Sequence, residues 1–151
     1  PPSVASPNRA HVVYRLGGRR FATPLAMLDE ILPPSALSSP PRAPEWLLGL
    51  VNRRGDILGV VDVRGTLRLG RLPETPAARL LVVPLAGEVL AVLVEAIEEI
   101  RDLPLDATIA TDHLAGPGAE FFGRAWVQDG ELVAVLDLRR LLSSSTFALQ
   151  S

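Results

Sequence analysis

The sequence predicts a mainly β protein built from two short β-barrels that share a core. Apolar residues come in blocks of roughly four to eight, rich in Val, Leu and Ile and separated by Gly, Pro and charged pairs, as in short strands. Several pairs of blocks flank a short turn sequence, as β-hairpins do. The first half of the chain also resembles the second half in sequence, which indicates a duplicated unit.

Four hairpins are predicted from apolar blocks on either side of a turn. Gly17 and Gly18 form the first turn, because glycine adopts positive φ without steric cost. The four hairpins pair residues 11–16 with 20–24, 47–51 with 56–61, 80–85 with 89–94, and 125–127 with 131–136.

Helical content is expected to be small. Short helices are predicted at residues 24–29, 63–67, 94–100 and 138–142. The helix at 94–100 would present Glu95, Glu98 and Glu99 on a solvated face.

The internal repeat has two parts with different offsets. The first offset places Asp29-Glu30-Ile31 on Glu98-Glu99-Ile100, and the second, which is longer, aligns 55–64 with 130–139. A unit of about 60–65 residues buries only ~60% of its unfolded surface, so we expect the two halves to pack on each other. Apolar residues at successive positions of the second hairpin in each half, as at 57–61, predict strands that are covered on both faces.

These patterns suggest a division of the chain into one domain and two flanking segments. The prolines and serines at the start show no periodicity, which is typical of a disordered lead-in. The expected division is a lead-in at 1–10, a domain at 11–142 with barrel-like halves at roughly 11–70 and 78–142, its last helix packing back on the first half, and a tail at 143–151.

Composition excludes several classes of function. The 151 residues contain no Cys, which excludes disulfides, Cys-ligated metals and thiol nucleophiles. All 15 basic residues are Arg, so the lysine of a P-loop or of a Schiff base is absent too. A net charge of −2 provides no basic field for nucleic acid, and no apolar run approaches the roughly 18 residues of a membrane span. With no visible signal peptide, we expect a cytoplasmic protein.

Two aspartates occupy equivalent places in the repeat. Asp62 and Asp137 each follow a predicted strand, and a symmetric pair of carboxylates could share a proton in acid catalysis. The alternative is that each caps the helix after it, which the duplication favours because a cap is copied with the fold. His11 and His113 lie far apart and lack Cys partners, so we expect solvated histidines rather than metal ligands.

The string Asn52-Arg53-Arg54-Gly55 places two adjacent guanidinium groups at a predicted hairpin tip. Loops on a rigid scaffold often display binding groups, which makes this tip a candidate site. Solvated arginines at a turn would give the same pattern, and the string alone leaves both interpretations open.

Several strings taken together resemble the CheW family of chemotaxis coupling proteins. The most specific is 49–58 followed by Val60-Val61-Asp62-Val63, which is similar to the family pattern G-x-x-N-x-R-G-x-[IV]-x-P-[IV]-[IV]-D-L. The resemblance covers about 11–142 and departs from the family at Gly59, Arg53 and Glu95, where Pro, an apolar residue and Asp are more usual.

The resemblance implies a fold, a function and a site. The fold would be mainly β, with two small five-stranded SH3-like β-barrels packed on each other and few short helices. Arg54 would be the functionally sensitive arginine, and it either contacts a partner or braces the binding groove. The residues that match partner-binding positions of the family are Leu28, Glu30, Gly49, Asn52, Arg54 and Gly55.

The implied function is a non-catalytic adaptor without cofactor or metal. Its partners would be the regulatory domain of a CheA-type histidine kinase and the cytoplasmic tip of a methyl-accepting chemoreceptor, with other CheW-like domains as a further option. No nucleic acid and no direct membrane insertion are expected, and the protein would be cytoplasmic and associated with receptor arrays. A second hypothesis is a CheW-like docking domain of a larger array-integrating or polar-localisation protein. A third is a small hydrolase that uses Asp62, Asp137 or His113.

Overall fold

The computed structural model of the protein describes residues 9–109, 118–144 and 147. These residues form eleven strands, two short 3-10 turns and one α-helix. The 3-10 turns are Leu25–Met27 and Ala119–Phe121, and α1 is Leu138–Leu142. The strands are β1 (Ala10–Leu16), β2 (Arg19–Pro24), β3 (Glu30–Leu32), β4 (Leu47–Arg53), β5 (Asp56–Val61), β6 (Arg79–Leu85), β7 (Glu88–Val94), β8 (Ala96–Asp102), β9 (Thr108–Ile109), β10 (Phe122–Gln128) and β11 (Glu131–Leu136).

The strands form two sheets. The first has the order β8-β1-β2-β11-β10-β9, in which β9 contributes only two residues, and the second has the order β3-β6-β7-β5-β4. The four predicted hairpins are confirmed as β1–β2, β4–β5, β6–β7 and β10–β11. β2 pairs with β11 in parallel, and β5 pairs with β7 in parallel.

Strand positions follow the repeat, but the sheets do not follow the two halves of the chain. β1 and β6 are related by the first offset, and β4 and β10 by the second, as the sequence predicted. The β1–β2 hairpin nevertheless lies between β8 and β11, and the β6–β7 hairpin lies between β3 and β5. The expected assignment of one barrel to 11–70 and the other to 78–142 is therefore wrong, because the two halves exchange their first hairpins.

Three apolar clusters cover both faces of most strands. One cluster is shared between the sheets, and it contains Val12 and Tyr14 of β1 together with Leu81 of β6 and Leu141 of α1. Each sheet also has a cluster of its own, and Val13 of β1 faces the one in the first sheet. Neighbouring residues of one strand thus face different clusters, which explains their successive apolar positions.

Buried hydrogen bonds connect the β1–β2 hairpin to β11, its neighbour from the second half of the chain. The hydroxyl oxygens of Tyr14 and Thr23 are 2.8 Å apart, and the Thr23 hydroxyl donates to the carbonyl oxygen of Leu136 at 2.9 Å. Burial raises the pKa of Tyr14 well above its usual value, although the bond to Thr23 opposes this shift. The phenol therefore stays neutral and joins β1, β2 and β11.

Two of the predicted helices are wrong. Residues 94–100 lie largely in β8, which pairs with β1, so the glutamates expected on a solvated helix face belong to a strand or to the bend before it. Residues 63–67 form turns, since Gly65 disfavours a continuing helix. The candidate at 24–29 shortens to the 3-10 turn Leu25–Met27, whereas α1 has the predicted bounds. No helix in the described part of the chain is long and apolar enough to cross a membrane.

A buried ionic network joins the two sheets on one side. The Arg64 guanidinium donates to Asp62 through Nε at 2.9 Å and Nη2 at 3.1 Å, and to Glu95 through Nη1 at 3.1 Å. The Glu95 carboxylate also accepts the backbone N–H groups of Gly17 at 2.7 Å and Gly18 at 3.0 Å. We call these five residues the Glu95 network. It connects the end of β5 in the second sheet to the β1–β2 turn in the first.

His11 differs from its expected solvated state. Its side chain lies in β1 and the residue is only 5% exposed. The ring Nδ1 lies 2.6 Å from the carbonyl oxygen of Arg9, so an N–H at this nitrogen donates to the backbone. His113 lies outside the described residues.

The exchange predicts that neither half of the chain folds alone. A fragment of residues 9–77 would lack β8 and β11, the two neighbours of its first hairpin, and would expose its part of the shared cluster. We expect each fragment to give a poorly dispersed amide NMR spectrum, and an equimolar mixture of 9–77 and 78–151 to recover the dispersion of the intact chain. A dispersed spectrum from either fragment alone would contradict the prediction.

The Asp62–Arg64 pair predicts a pH-dependent stability. Burial alone would raise the pKa of Asp62, but hydrogen bonds from the Arg64 side chain and backbone outweigh it and hold this pKa below its usual value. The pair therefore stabilises the fold above about pH 4 and loses its effect as the pH falls through the lowered pKa. Asp62→Asn should lower the melting temperature at neutral pH, and this deficit should shrink as the pH falls below about 4. Calorimetry across this range checks the prediction, and a constant deficit would refute it.

Candidate partner-binding site

The β4–β5 hairpin ends in a two-residue turn with a defined geometry. Arg53 pairs with Asp56 across the strands, and the turn residues Arg54 and Gly55 have φ of 52° and 88°. Two positive φ values are what a type I′ turn requires. The Asn52 side-chain oxygen accepts the backbone N–H of Gly55 at 3.0 Å and fixes the turn.

Two arginines connect this tip to the opposite edge of the sheet. Arg53 Nη1 lies 2.7 Å from Asp29 Oδ2 and 3.2 Å from Glu30 Oε1, and Arg54 Nη2 lies 2.7 Å from the same Glu30 oxygen. β3 and β4 stand at opposite ends of the strand order, yet these side chains meet. The second sheet therefore curls until its edges approach, as a small barrel does.

The two arginines of the tip differ in exposure. The Arg53 side chain is 14% exposed, and its hydrogen bond to Asp29, followed by that to Glu30, raises its pKa. The Arg54 side chain is 76% exposed, and Glu30 holds it through one nitrogen. Arg53 is thus part of the closure of the barrel, whereas Arg54 presents a held guanidinium to the surroundings.

Leu28 and Gly49 lie apart from the tip surface. Leu28 is partly buried and packs against the shared cluster, immediately before the acidic pair. Gly49 is buried, and a Cβ at its position would lie 2.7 Å from Leu37 Cβ and 2.9 Å from the Ser38 carbonyl oxygen. Only glycine admits this close approach of the 37–38 segment, so Gly49 shapes the surface from beneath. The structure brings the other four predicted residues together at the tip: Glu30, Asn52, Arg54 and Gly55.

Sequence reasoning missed the role of Arg53 and Asp29. Arg53 appeared as a departure from the family pattern, but it forms two of the three ion pairs of the tip. The repeat held a signal for it, because the first offset aligns Glu30 with Glu99 and the second aligns Arg53 with Gln128. The Gln128 side-chain nitrogen donates to Glu99 at 2.5 Å, so the same contact closes the first sheet.

Large apolar side chains are exposed near both hairpin tips. Ile57 of β5 is 61% exposed and pairs with Asn52, which corrects the expectation that 57–61 is covered throughout. Val127 of β10 and Ile100 of β8 are 69% and 53% exposed in the first sheet. Each sheet thus offers apolar surface beside the tip of its last hairpin.

The two aspartates do not act as a pair. Asp137 caps α1, because its carboxylate accepts the backbone N–H of Arg140 at 2.9 Å. Asp62 is 2% exposed and is occupied by Arg64. The interpretation of Asp137 as a helix cap is confirmed. Asp62, at the equivalent position, instead binds the buried Arg64 side chain.

Comparison with known proteins places the chain among chemotaxis proteins. A "Probable chemotaxis protein CheW" of Rhizobium etli is 25% identical over 146 residues, which cover 95% of this chain and 93% of that protein. "Protein FrzA" of Myxococcus xanthus is 27% identical over 144 residues, with 93% and 89% covered. The crystal structure of the scaffolding protein TtCheW from Thermoanaerobacter tengcongensis superposes with a TM-score of 0.80 over 95% of this chain and 93% of that one, at 17% identity.

The structural match confirms the predicted fold class, which is mainly β with two small barrels and few short helices. The second sheet has the five expected strands, and the first has five strands together with the two-residue β9. The family model described as the CheW-like domain matches residues 10–146, nearly the whole chain. Its bounds enclose β1 to α1, and therefore both exchanged hairpins and both tips. This chain belongs to the CheW-like domain family.

Proposed function

We propose that this chain is a non-catalytic adaptor that couples the cytoplasmic tip of a chemoreceptor to the regulatory domain of a CheA-type histidine kinase. Family membership supports a coupling or scaffolding role in chemotaxis-type signalling, since the relative from Rhizobium etli is named a probable chemotaxis protein and the solved relative is called a scaffolding protein. This role implies a cytoplasmic protein associated with receptor arrays. The choice of partners rests on the family resemblance and on the two tips.

The observation that carries the proposal is the held but exposed guanidinium of Arg54. The type I′ turn and the Asn52–Gly55 bond fix the backbone beneath it, and Glu30 holds one end of the side chain. A guanidinium offers five N–H donors in a rigid fork that suits a carboxylate or the carbonyl end of a helix. Because the side chain is already oriented, a partner loses less conformational freedom on binding.

This geometry combines the two roles that the sequence left open for Arg54. One nitrogen braces Glu30, while the high exposure of the side chain leaves room for a second acceptor. Ile57 supplies exposed apolar surface next to it. We assign the receptor contact to this tip, with Glu30 as the residue that positions Arg54.

The first sheet offers a different surface, which suits the kinase. Val127, beside the β10–β11 tip, and Ile100 of β8 expose apolar area on the first sheet, and we assign to them the contact with a similar barrel in the kinase regulatory domain. Such interfaces bury less than ~1,200 Å² each, so the multivalency of an array supplies much of the binding strength. Separate contacts on separate sheets allow one adaptor to bind both partners at once.

Arg54→Ala should leave the fold intact and reduce receptor-dependent kinase activation several-fold. The substitution removes the guanidinium and leaves the core untouched, because the side chain is 76% exposed. A reconstituted assay with receptor tips, kinase and adaptor measures the rate of kinase autophosphorylation. Full activation by Arg54→Ala would remove this residue from the site.

The matched control for this experiment is Arg42→Ala. Arg42 is also an exposed arginine with a positive φ, of 57°, so its replacement imposes the same backbone strain outside the tip. We expect Arg42→Ala to support activation at the parental level. An equal loss in both variants would mean that general charge or strain, rather than the tip, causes the defect.

Arg53→Gln should lower the melting temperature, and Arg54→Gln should change it by about 2 °C or less. Arg53 is largely buried between β3 and β4 and joins two carboxylates, whereas an exposed pair such as Arg54–Glu30 contributes little to stability. Calorimetry of the two variants tests this separation. A larger loss for Arg54→Gln would mean that the supposed binding group is mainly structural.

A further inference from the structure

The two junctions between the sheets are equivalent by the repeat but differ in how they are held. The first junction is where the β1–β2 turn meets the segment after β5, and the second, which we call the α1 junction, is where the β6–β7 turn meets α1. The first offset of the repeat places Gly17-Gly18 on Ala86-Gly87, and the second places the segment 62–69 on 137–144. Comparing them shows what one junction has and the other lacks.

The first junction is held by buried charge. The side chains of the Glu95 network are 1% exposed for Asp62, 7% for Arg64 and 15% for Glu95. Removing one member of such a network leaves a buried charge without its partner, which is costly. The network therefore resists any separation of the β1–β2 turn from the end of β5.

The same junction is also close-packed. A Cβ on Gly17 would lie 2.7 Å from Leu69 Cβ and 3.0 Å from the Gly70 carbonyl oxygen. Leu67, in the segment after β5, is also closely packed, because a Cβ on Gly118 would lie 2.7 Å from Leu67 Cδ2. The backbone can approach this closely only because both positions are glycine. A pocket of about 170 Å³ remains beside this junction, and Asp62, Gly65 and Arg71 are among the residues that line it.

The α1 junction lacks the network. The counterpart of Glu95 is Ala26, which has no carboxylate, and the counterpart of Arg64 is Arg139, which is exposed. Asp137 is engaged in capping α1 through the Arg140 backbone N–H. Apolar packing of Leu138, Leu141 and Leu142 is what the described residues provide in its place.

A surface pocket that is open to solvent lies at the α1 junction among the described residues. Its volume is about 340 Å³, and it is lined by Leu85 and Ala86 on one side and by Leu142, Ser144 and Phe147 on the other. These positions correspond by the two offsets to Leu16, Gly17, Leu67, Leu69 and Leu72. The pocket beside the first junction is smaller, at about 170 Å³.

We propose that the sheets are hinged, with the Glu95 network locking the first junction so that the molecule opens at the α1 junction. Separating the α1 junction breaks apolar packing, whereas separating the first junction also breaks the contacts of Glu95 to the Arg64 guanidinium and to the Gly17 backbone. Opening there exposes Leu142 and changes the relative position of the two tips. The inference concerns the fold and holds independently of the proposed partners.

The absence of cysteine from the chain allows a direct test with single engineered thiols. Leu67 and Leu142 are matched positions, related by the second offset of the repeat, and they are 7% and 3% exposed. Leu67→Cys and Leu142→Cys each place one buried thiol at one junction. Labelling by a maleimide under native conditions measures how often each junction opens, after the contribution of global unfolding has been subtracted from denaturant titrations of each variant.

We expect the thiol of Leu142→Cys to be labelled at least about tenfold faster than that of Leu67→Cys. Adding Glu95→Gln should raise labelling of Leu67→Cys about tenfold and leave Leu142→Cys unchanged, because the amide loses the charged contact to Arg64. Glu120→Gln, which replaces an exposed glutamate outside the network, is the control and should alter neither rate.

Equal labelling of the two thiols in the otherwise unaltered chain would overturn the proposal. So would an unchanged rate for Leu67→Cys after Glu95→Gln. If Glu95→Gln fails to fold, Glu95→Asp replaces it, since the shortened carboxylate cannot reach both the Gly17 turn and Arg64. The comparison of the two single-cysteine variants needs no change at Glu95, and by itself it shows which junction opens.

Discussion

The parallel pairing of strands from opposite halves is the constraint on which the rest of the structure depends. β2 runs beside β11 with Ala134 opposite Phe21, and β5 runs beside β7 with Val60 opposite Ala91. Each pair inserts a hairpin of one half into the sheet of the other. Both sheets therefore depend on both halves, and the shared apolar cluster lies where the exchanged elements cross.

The duplicated halves share a backbone arrangement, but the side chains at their two hairpin tips differ. Both last hairpins turn through a positive-φ residue followed by glycine, as at Asp129-Gly130, and both sheets close by a polar contact to a glutamate of the strand at the opposite edge. The residue that makes this contact is Arg53 in the second sheet and Gln128 in the first. The turn residue that follows it is Arg54 in one and Asp129 in the other. Equivalent backbone geometry thus presents opposite charges at the two tips.

Hairpins, repeat and the bounds of α1 could be predicted because each depends on local pattern. Turn glycines, alternating burial and the Asp137 cap act within a few residues. The exchange of hairpins could not be predicted. In a duplicated sequence each first hairpin can pair with similar strands of its own half or of the other half, and periodicity does not distinguish the two. The sequence predicted a helix in place of β8 because Glu95, Glu98 and Glu99 have the spacing of a helix face, whereas their actual partners lie far away in the sequence. The candidate site was predicted at Arg54 and Glu30, but burial of Gly49 beneath Leu37 depends on the tertiary approach of a loop.

The exchange of hairpins also determines the order in which the protein can fold during synthesis. The β1–β2 hairpin emerges first, but its neighbours β8 and β11 lie in the second half of the chain. Until Leu136 has left the ribosome, Phe21 and Tyr14 cannot be fully covered by their final partners. Contacts of such long sequence separation fold slowly and leave apolar strand edges open to aggregation. The first hairpin of a nascent chain therefore keeps an unpaired strand edge until the second half of the chain has been synthesised.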